Sequence, residues 1–226
     1  MGGFTAATTD FLTDLRANND REWFAANRDR YEAHWLAPAV EFVTAVTPAL
    51  QSLAPAMRSE PRIDGSIFRI RRDTRFTTDK RPYKEHLDLW WWEGERHTAP
   101  SGLYLRLTTD SLRLAVGATA FDRDRLERYR RAVVDPDAGG ALLAAVRPAG
   151  RGGWELRGET LKQGPRGLST EDPERARLLR HGALWTALEV PHPGVFGSTA
   201  RLAAWCLRRW EQQLPLHRWL VDHLGA

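Results

Sequence analysis

Residues 68–86 read FRIRRDTRFTTDKRPYKEH and run directly into residues 87–92, LDLWWW. Phe68 and Ile70 alternate with Arg69 and Arg71, the period of two that predicts a strand over 67–72. Residues 73–85 show no alternation and read as an ordered polar loop. Alternation resumes at once, with Leu87, Leu89 and Trp91 set against Asp88, Trp90 and Trp92. Residues 102–108 place Leu103, Leu105 and Leu107 against Tyr104, Arg106 and Thr108. After a Thr109-Asp110 turn, Leu112, Leu114 and Val116 oppose Arg113 and Ala115, so these last two strands predict a hairpin. A sheet with one leucine-rich face needs an apolar cover.

Helical patterns on both sides supply it. Thr8 or Thr9 is placed to cap a first helix carrying Phe11, Leu12 and Leu15, which Asn18-Asn19 would end in the left-handed conformation. Asp20 caps a second, with Trp23, Phe24, Tyr31 and Trp35 on its stripe. Asn27 falls on that stripe, where an amide bonded to neighbouring backbone is the simplest reading. Pro38 suits the first turn of a third helix with Val43, Val46 and Leu50. Beyond the sheet, Asp122 starts a helix, Asp172-Pro173 opens another that Gly182 closes, and Ser198 or Thr199 begins a final pair separated by Pro215. The expected fold is α+β, an antiparallel or mixed central sheet of about four or more strands covered by N- and C-terminal helices. One domain over 1–226 is expected: helices in 8–54, sheet in 66–117, a helical part in 122–224.

Composition sets limits. The chain has 226 residues, 42% hydrophobic and 27% charged, as in an ordinary globular protein. No uninterrupted run of about 18 apolar residues occurs, so no membrane contact is expected. The start, MGGFTAATTDF, lacks a basic region followed by an apolar core, so a cytoplasmic location is expected. The single Cys206, flanked by Trp205 and Leu207, reads as core and excludes an internal disulfide. No H-x-x-x-H or H-E-x-x-H spacing, G-x-S-x-G elbow, Walker loop or G-x-G-x-x-G after a strand is present, so neither metal nor cofactor is expected. Oligomeric state is not legible.

Net charge is +4, and only three of the 33 basic residues are lysines. Lys80 and Lys84 lie in the central loop, Lys162 in a second loop with Gly164-Pro165-Arg166-Gly167. Lysine is a compact point charge whose pKa moves readily on burial, so a lysine kept among arginines marks a place to look. Between 68 and 86, seven cations face Asp73, Asp79 and Glu85. Two readings follow: a salt-bridge network that pins an irregular loop, or a surplus of positive charge that holds a phosphate- or carboxylate-bearing small molecule. The second predicts ligand contacts from Arg72, Arg75, Lys80, Lys84, Lys162 and Arg166, with the two loops converging. Asp73 and His86 are the acid–base candidates. His181 sits where a helix C-terminus would favour a cation. A nucleic-acid reading, less favoured, stacks bases on a face shared by tryptophans of 90–92 with Arg69, Arg71, Tyr104, Arg106 and Arg113. Packing tryptophans under arginine stems is the plainer account.

Three blocks carry a resemblance. Residues 18–24, NNDREWF, followed by Asn27 and Tyr31, form the first. The second is RDTRF at 72–76 with DKRPYK at 79–84, and the third is Lys162 with Pro165-Arg166-Gly167 and Asp172-Pro173. In order and spacing, over nearly the whole chain, they resemble the uncharacterised domain-of-unknown-function 2461 (DUF2461) family. The resemblance implies no catalytic or binding residue. The chain departs from the family pattern at 117–122, where a more glycine-rich strand end is expected, and at Arg180-His181, where a lysine is usual.

Overall fold

The alternating leucines build the sheet. The computed structural model describes residues 3–225. Strands β1 (Met57–Arg58), β2 (Leu87–Glu93), β3 (Gly102–Leu107), β4 (Ser111–Ala118), β5 (Glu155–Arg157) and β6 (Leu184–Pro191) form one open antiparallel sheet. Their order is β1-β2-β3-β4-β6-β5. Leu87, Leu89, Leu103, Leu105, Leu107, Leu112 and Leu114 are fully buried. The expected α+β fold with helices flanking a central sheet is what forms. The part of the chain read as helical after 122 also contributes β5 and β6, antiparallel with Leu156 opposite Thr186. Gly117 in β4, at φ +130°, permits close approach: a Cβ there would lie 2.4 Å from the Leu184 carbonyl oxygen.

The predicted strand at 67–72 does not form. The segment is extended but irregular, paired with the arm that leads into β2 by spaced backbone bonds. Arg72 N–H donates to Pro82 O at 2.8 Å, Lys84 N–H to Ile70 O at 2.8 Å, Phe68 N–H to Asp88 O at 3.1 Å, and Trp90 N–H to Ser66 O at 2.9 Å. Pro82 has no N–H to return, so the ladder stays broken. The result is a ribbon whose tip is the polar loop.

The chain divides into two compact units. The first takes the chain up to Trp91 with Tyr104–Arg113 and Glu189–Arg208; the second takes Trp92–Leu103, Leu114–Leu188 and the chain from Arg209 on. In the first, the helix Ala6–Ala17 is preceded by Thr5, not Thr8 or Thr9, and Thr8 Oγ1 accepts the Thr5 N–H at 3.2 Å. Asn18 ends it at φ −131°, not in the left-handed region. Asp20 caps Arg21–Ala26 as expected, accepting from Trp23 N at 2.8 Å. The second and third expected helices are divided differently: the break falls at Asn27, and one helix runs Arg28–Leu53 through a π-helical turn, Glu32–Leu36. Ala37 N–H reaches back to Glu32 O there, one residue further than an α bond. The wider turn admits Pro38, whose ring would collide with an α-helical carbonyl four residues back.

This 26-residue helix meets the length and mean hydropathy, 1.2, of a membrane-crossing segment. Its Phe42, Val43, Val46 and Leu50 are instead wholly buried in the unit, each contributing about 2 kcal/mol by leaving water. Phe42 meets Trp91 of β2 edge-on at 6.3 Å, and Trp91 Nε1 donates to Thr47 Oγ1 at 3.3 Å. That is the helical cover predicted for the leucine face.

The second unit centres on Tyr129, Val133, Leu142, Leu178, Leu184, Leu216, Trp219 and Leu220. Asp122 and Asp172 cap Arg123–Val134 and Pro173–Leu178 as expected. The latter helix stops well before Gly182.

Candidate functional site

The ribbon is built in layers from its tip inward. At the tip nearly every charge has found an opposite. Arg75 grips Asp73 with Nε at 3.0 Å and a terminal nitrogen at 2.7 Å, and its backbone N–H donates to the same carboxylate. These bonds hold the Asp73 carboxyl at about 2. Arg81 and Arg72 both bind Asp79, at 2.7 and 2.6 Å, and hold it well below the usual carboxylate range. Arg81 also pairs with Glu85. Lys80 Nζ donates to the Thr74 carbonyl at 2.9 Å. Arg72 and Arg75, expected as ligand contacts, are thus paired within the loop, and Asp73 serves Arg75.

The N-terminal block anchors this ribbon. Asn19 Oδ1 accepts the Tyr83 N–H at 3.0 Å, while Nδ2 donates to Tyr83 O at 3.0 Å and to Glu85 Oε1 at 3.2 Å. Phe24 stacks on the Tyr83 ring at 4.1 Å. Asn27 is satisfied locally by Trp23 O at 2.9 Å and Arg30 at 3.0 Å. Two of the sequence blocks therefore meet in space for a structural reason. Tyr83 is buried, so Asn19→Ala strands two of its backbone groups, and chemical denaturation is expected to show a loss of about 2 kcal/mol. A loss under about 0.5 kcal/mol would mean water replaces the amide.

Further in, the cluster changes character. Asp88 is buried on the face of β2 opposite Leu87 and Leu89. Its Oδ1 accepts from Tyr104 Oη at 2.5 Å and Arg106 Nε at 2.7 Å; Oδ2 meets a terminal nitrogen of Arg106 at 3.1 Å and His86 Nε2 at 3.2 Å. All four acceptor positions of the carboxylate are filled. Burial alone would raise the Asp88 pKa, but His86 and Arg106 outweigh it and hold the group well below the ordinary range. Burial, with the Asp88 charge beside it, pushes the Tyr104 phenol far up. An ionised carboxylate only accepts, so the His86 proton lies on Nε2, leaving Nδ1 without a hydrogen bond among the described residues.

Lys84 stands next to this hub. It is half-buried, with Nζ 5.4 Å from the Phe68 ring centre. Burial lowers its pKa, Asp88 opposes that, and Arg106 and Arg69 add to it. Among the described residues it makes no ion pair. Arg69 and Arg71 are exposed and form no ion pair among the described residues.

Lys162 and Arg166 belong to the second unit, where both are exposed and form no ion pair among the described residues. His181 lies past its helix, with Nδ1 3.3 Å from Ala183 O, and burial lowers its pKa instead of the helix end raising it. Trp91 and Trp92 are buried and offer no face for a stacked base. Cys206 is core. The second unit also holds a line of polar groups that the sequence reading missed: Ser101 Oγ is 2.9 Å from His217 Nδ1, and Nε2 is 3.2 Å from Glu93 Oε1. Ser101 is 2% exposed, Glu93 7% and His217 not at all, so this serine–histidine–carboxylate array is almost wholly enclosed. Among the described residues no group of three His, Cys, Asp or Glu side chains is placed to share a metal.

A family model described as "Conserved hypothetical protein (DUF2461)" matches residues 7–219. No curated protein matches the chain.

Proposed function

Since the chain belongs to the DUF2461 family, whose description assigns no activity, we infer function from the site alone and propose that it binds a small phosphate- or carboxylate-bearing ligand at Lys84, Arg106 and His86. One observation carries this reading. Lys84 keeps a half-buried ammonium beside Asp88, whose acceptor positions are already taken. A partly desolvated cation without a counter-ion gains most from an anion delivered to it.

Each neighbour has a donor to spare. Arg106 commits Nε and one terminal nitrogen to Asp88, which leaves its other terminal nitrogen for an oxyanion. His86, fixed through Nε2, presents Nδ1, a donor once the ring is protonated. Lys80, exposed at the tip and bonded to Thr74 O, lies outside this set. Asp88 acts as a positioning residue: it sets the directions of Arg106, His86 and Tyr104 without touching the ligand.

Isothermal titration with inorganic phosphate, citrate and a nucleoside monophosphate tests the reading. Wild type is expected to bind at least one, and Lys84→Met to weaken that binding about tenfold or more, the loss of one charge-assisted contact. Equal heats from the two proteins, or none from any anion, would refute it. Lys80→Met is the comparison: it loses an equal charge at the exposed tip, and its binding should stay near wild type.

A further inference from the structure

The ribbon's tip carries a feature that the anion site does not use. Phe76 is 91% exposed, the most exposed large hydrophobic side chain among the described residues. A lone exposed phenyl ring is unremarkable in itself. The support under this one is not. The Arg75 guanidinium lies over the ring, 5.4 Å from its centre. Arg75 in turn is held by three bonds to Asp73, one from its backbone. Lys80 closes the tip across six residues by bonding Thr74 O, and Asp79 N–H bonds Thr77 Oγ1 at 3.3 Å. A guanidinium therefore backs one face of the ring, and the other is turned to water on a preorganised mount.

We propose that Phe76 is a stacking platform for a base of single-stranded nucleic acid, whose phosphates are met by Arg69, Arg71 and Lys80 of the same ribbon. A flat aromatic face suits any base, and a guanidinium behind it adds to the stack. Arg69 and Arg71 are exposed with no carboxylate of their own among the described residues, and both sit on the arm that leads to the tip. They provide charge that the paired arginines of the loop do not. Lipid is the poorer occupant: sinking the ring into a bilayer would draw the Asp73–Arg75 pair, one to three residues away, out of water. The inference stands apart from the Lys84 site, since neither Phe76 nor Arg71 takes part there.

Fluorescence anisotropy with labelled oligothymidylate and oligouridylate tests it. The full chain should bind at low salt, with log affinity falling against log salt at a slope of about −2, as expected for about three neutralised phosphates. Phe76→Ala should weaken binding about tenfold or more, and Phe76→Trp should retain it. Phe76 buries almost nothing, so both variants keep the wild-type unfolding midpoint and the comparison stays clean. No anisotropy change at low salt, or equal affinity of Phe76→Ala and wild type, overturns the proposal. So does Phe76-dependent binding to phosphatidylglycerol vesicles with none to either oligonucleotide, which would assign the tip to an anionic membrane surface.

Discussion

Asp88→Ala is expected to lower the unfolding free energy by about 3 kcal/mol or more, the range for removing one partner of a buried ion pair. Three donors converge on that carboxylate from His86, Tyr104 and Arg106. Removing it takes away their common acceptor and leaves the phenol oxygen of Tyr104 to accept from the guanidinium. Two like charges then oppose each other whenever His86 is protonated, and Lys84 adds a third nearby. Asp88→Asn should do less harm, because its carbonyl oxygen still accepts two bonds, although its amide turns a donor toward donors. The pH dependence has a definite sign. The Asp88 pKa is depressed by folding, so its contribution is complete above the unfolded value of about 3.9 and fades as pH falls below it. The gap between wild type and Asp88→Ala, read from urea melts, should therefore be wide at neutral pH and narrow in acid. A gap under about 1 kcal/mol at neutral pH would mean that the hub organises nothing. Small-anion binding should be lost in the same variant, because Arg106 and His86 lose the partner that sets their directions.

The sheet was readable because burial of one face leaves a period of two in the chain. Leu103, Leu105 and Leu107 could point only one way, and the caps at Asp20, Asp122 and Asp172 follow from short-range geometry. The segment at 67–72 misleads for the opposite reason. Phe68 and Ile70 alternate correctly with arginines, but ladder formation depends on the facing arm, and Pro82 lies there. Strand β6, LWTALEVP, was missed because its alternation is short and its burial comes from neighbours distant in sequence. The helix boundary at Asn27 and the π turn before Pro38 reflect how tight a turn a proline tolerates, which periodicity does not encode. The cationic loop was found, but counting charges does not say which of them pair. Arg72, Arg75 and Arg81 are matched by Asp73, Asp79 and Glu85, each pair within seven residues of chain, whereas Lys84 is a half-buried ammonium beside a carboxylate that residues 104 and 106 already occupy. One signal was available: Asp88 is an acid between Leu87 and Leu89 in a strand rich in leucine and tryptophan, where a charge has to have a partner.

The same reasoning, applied to the second unit, gives the other large effect. His217→Leu is expected to cost about 3–5 kcal/mol of unfolding free energy, because it leaves the buried Glu93 carboxylate without the imidazole that faces it at 3.2 Å. Leucine has nearly the volume of histidine, so the loss reports charge and hydrogen bonding more than packing. Ser101 Oγ loses its partner as well. The Nε2 of His217 lies 3.2 Å from Oε1 of Glu93, so each of these two buried polar groups answers the other. If so, removing both groups should hurt less than removing one. The double variant Glu93→Leu/His217→Leu should recover about 2 kcal/mol relative to His217→Leu alone, a coupling well outside the additivity of independent sites. Acid supplies a second check. The contact with His217 lowers the Glu93 pKa in spite of burial, so wild type loses that contribution as pH falls below the unfolded value of about 4.3. In His217→Leu burial is opposed by the Arg218 charge but no longer by His217, so the Glu93 pKa rises from its wild-type level; protonation then relieves the stranded charge, and the variant gains stability relative to wild type on acidification. The difference between the two should shrink steadily below neutral pH. A difference that stays constant from neutral to acid pH would show that the histidine fills space and that its charge partner is immaterial.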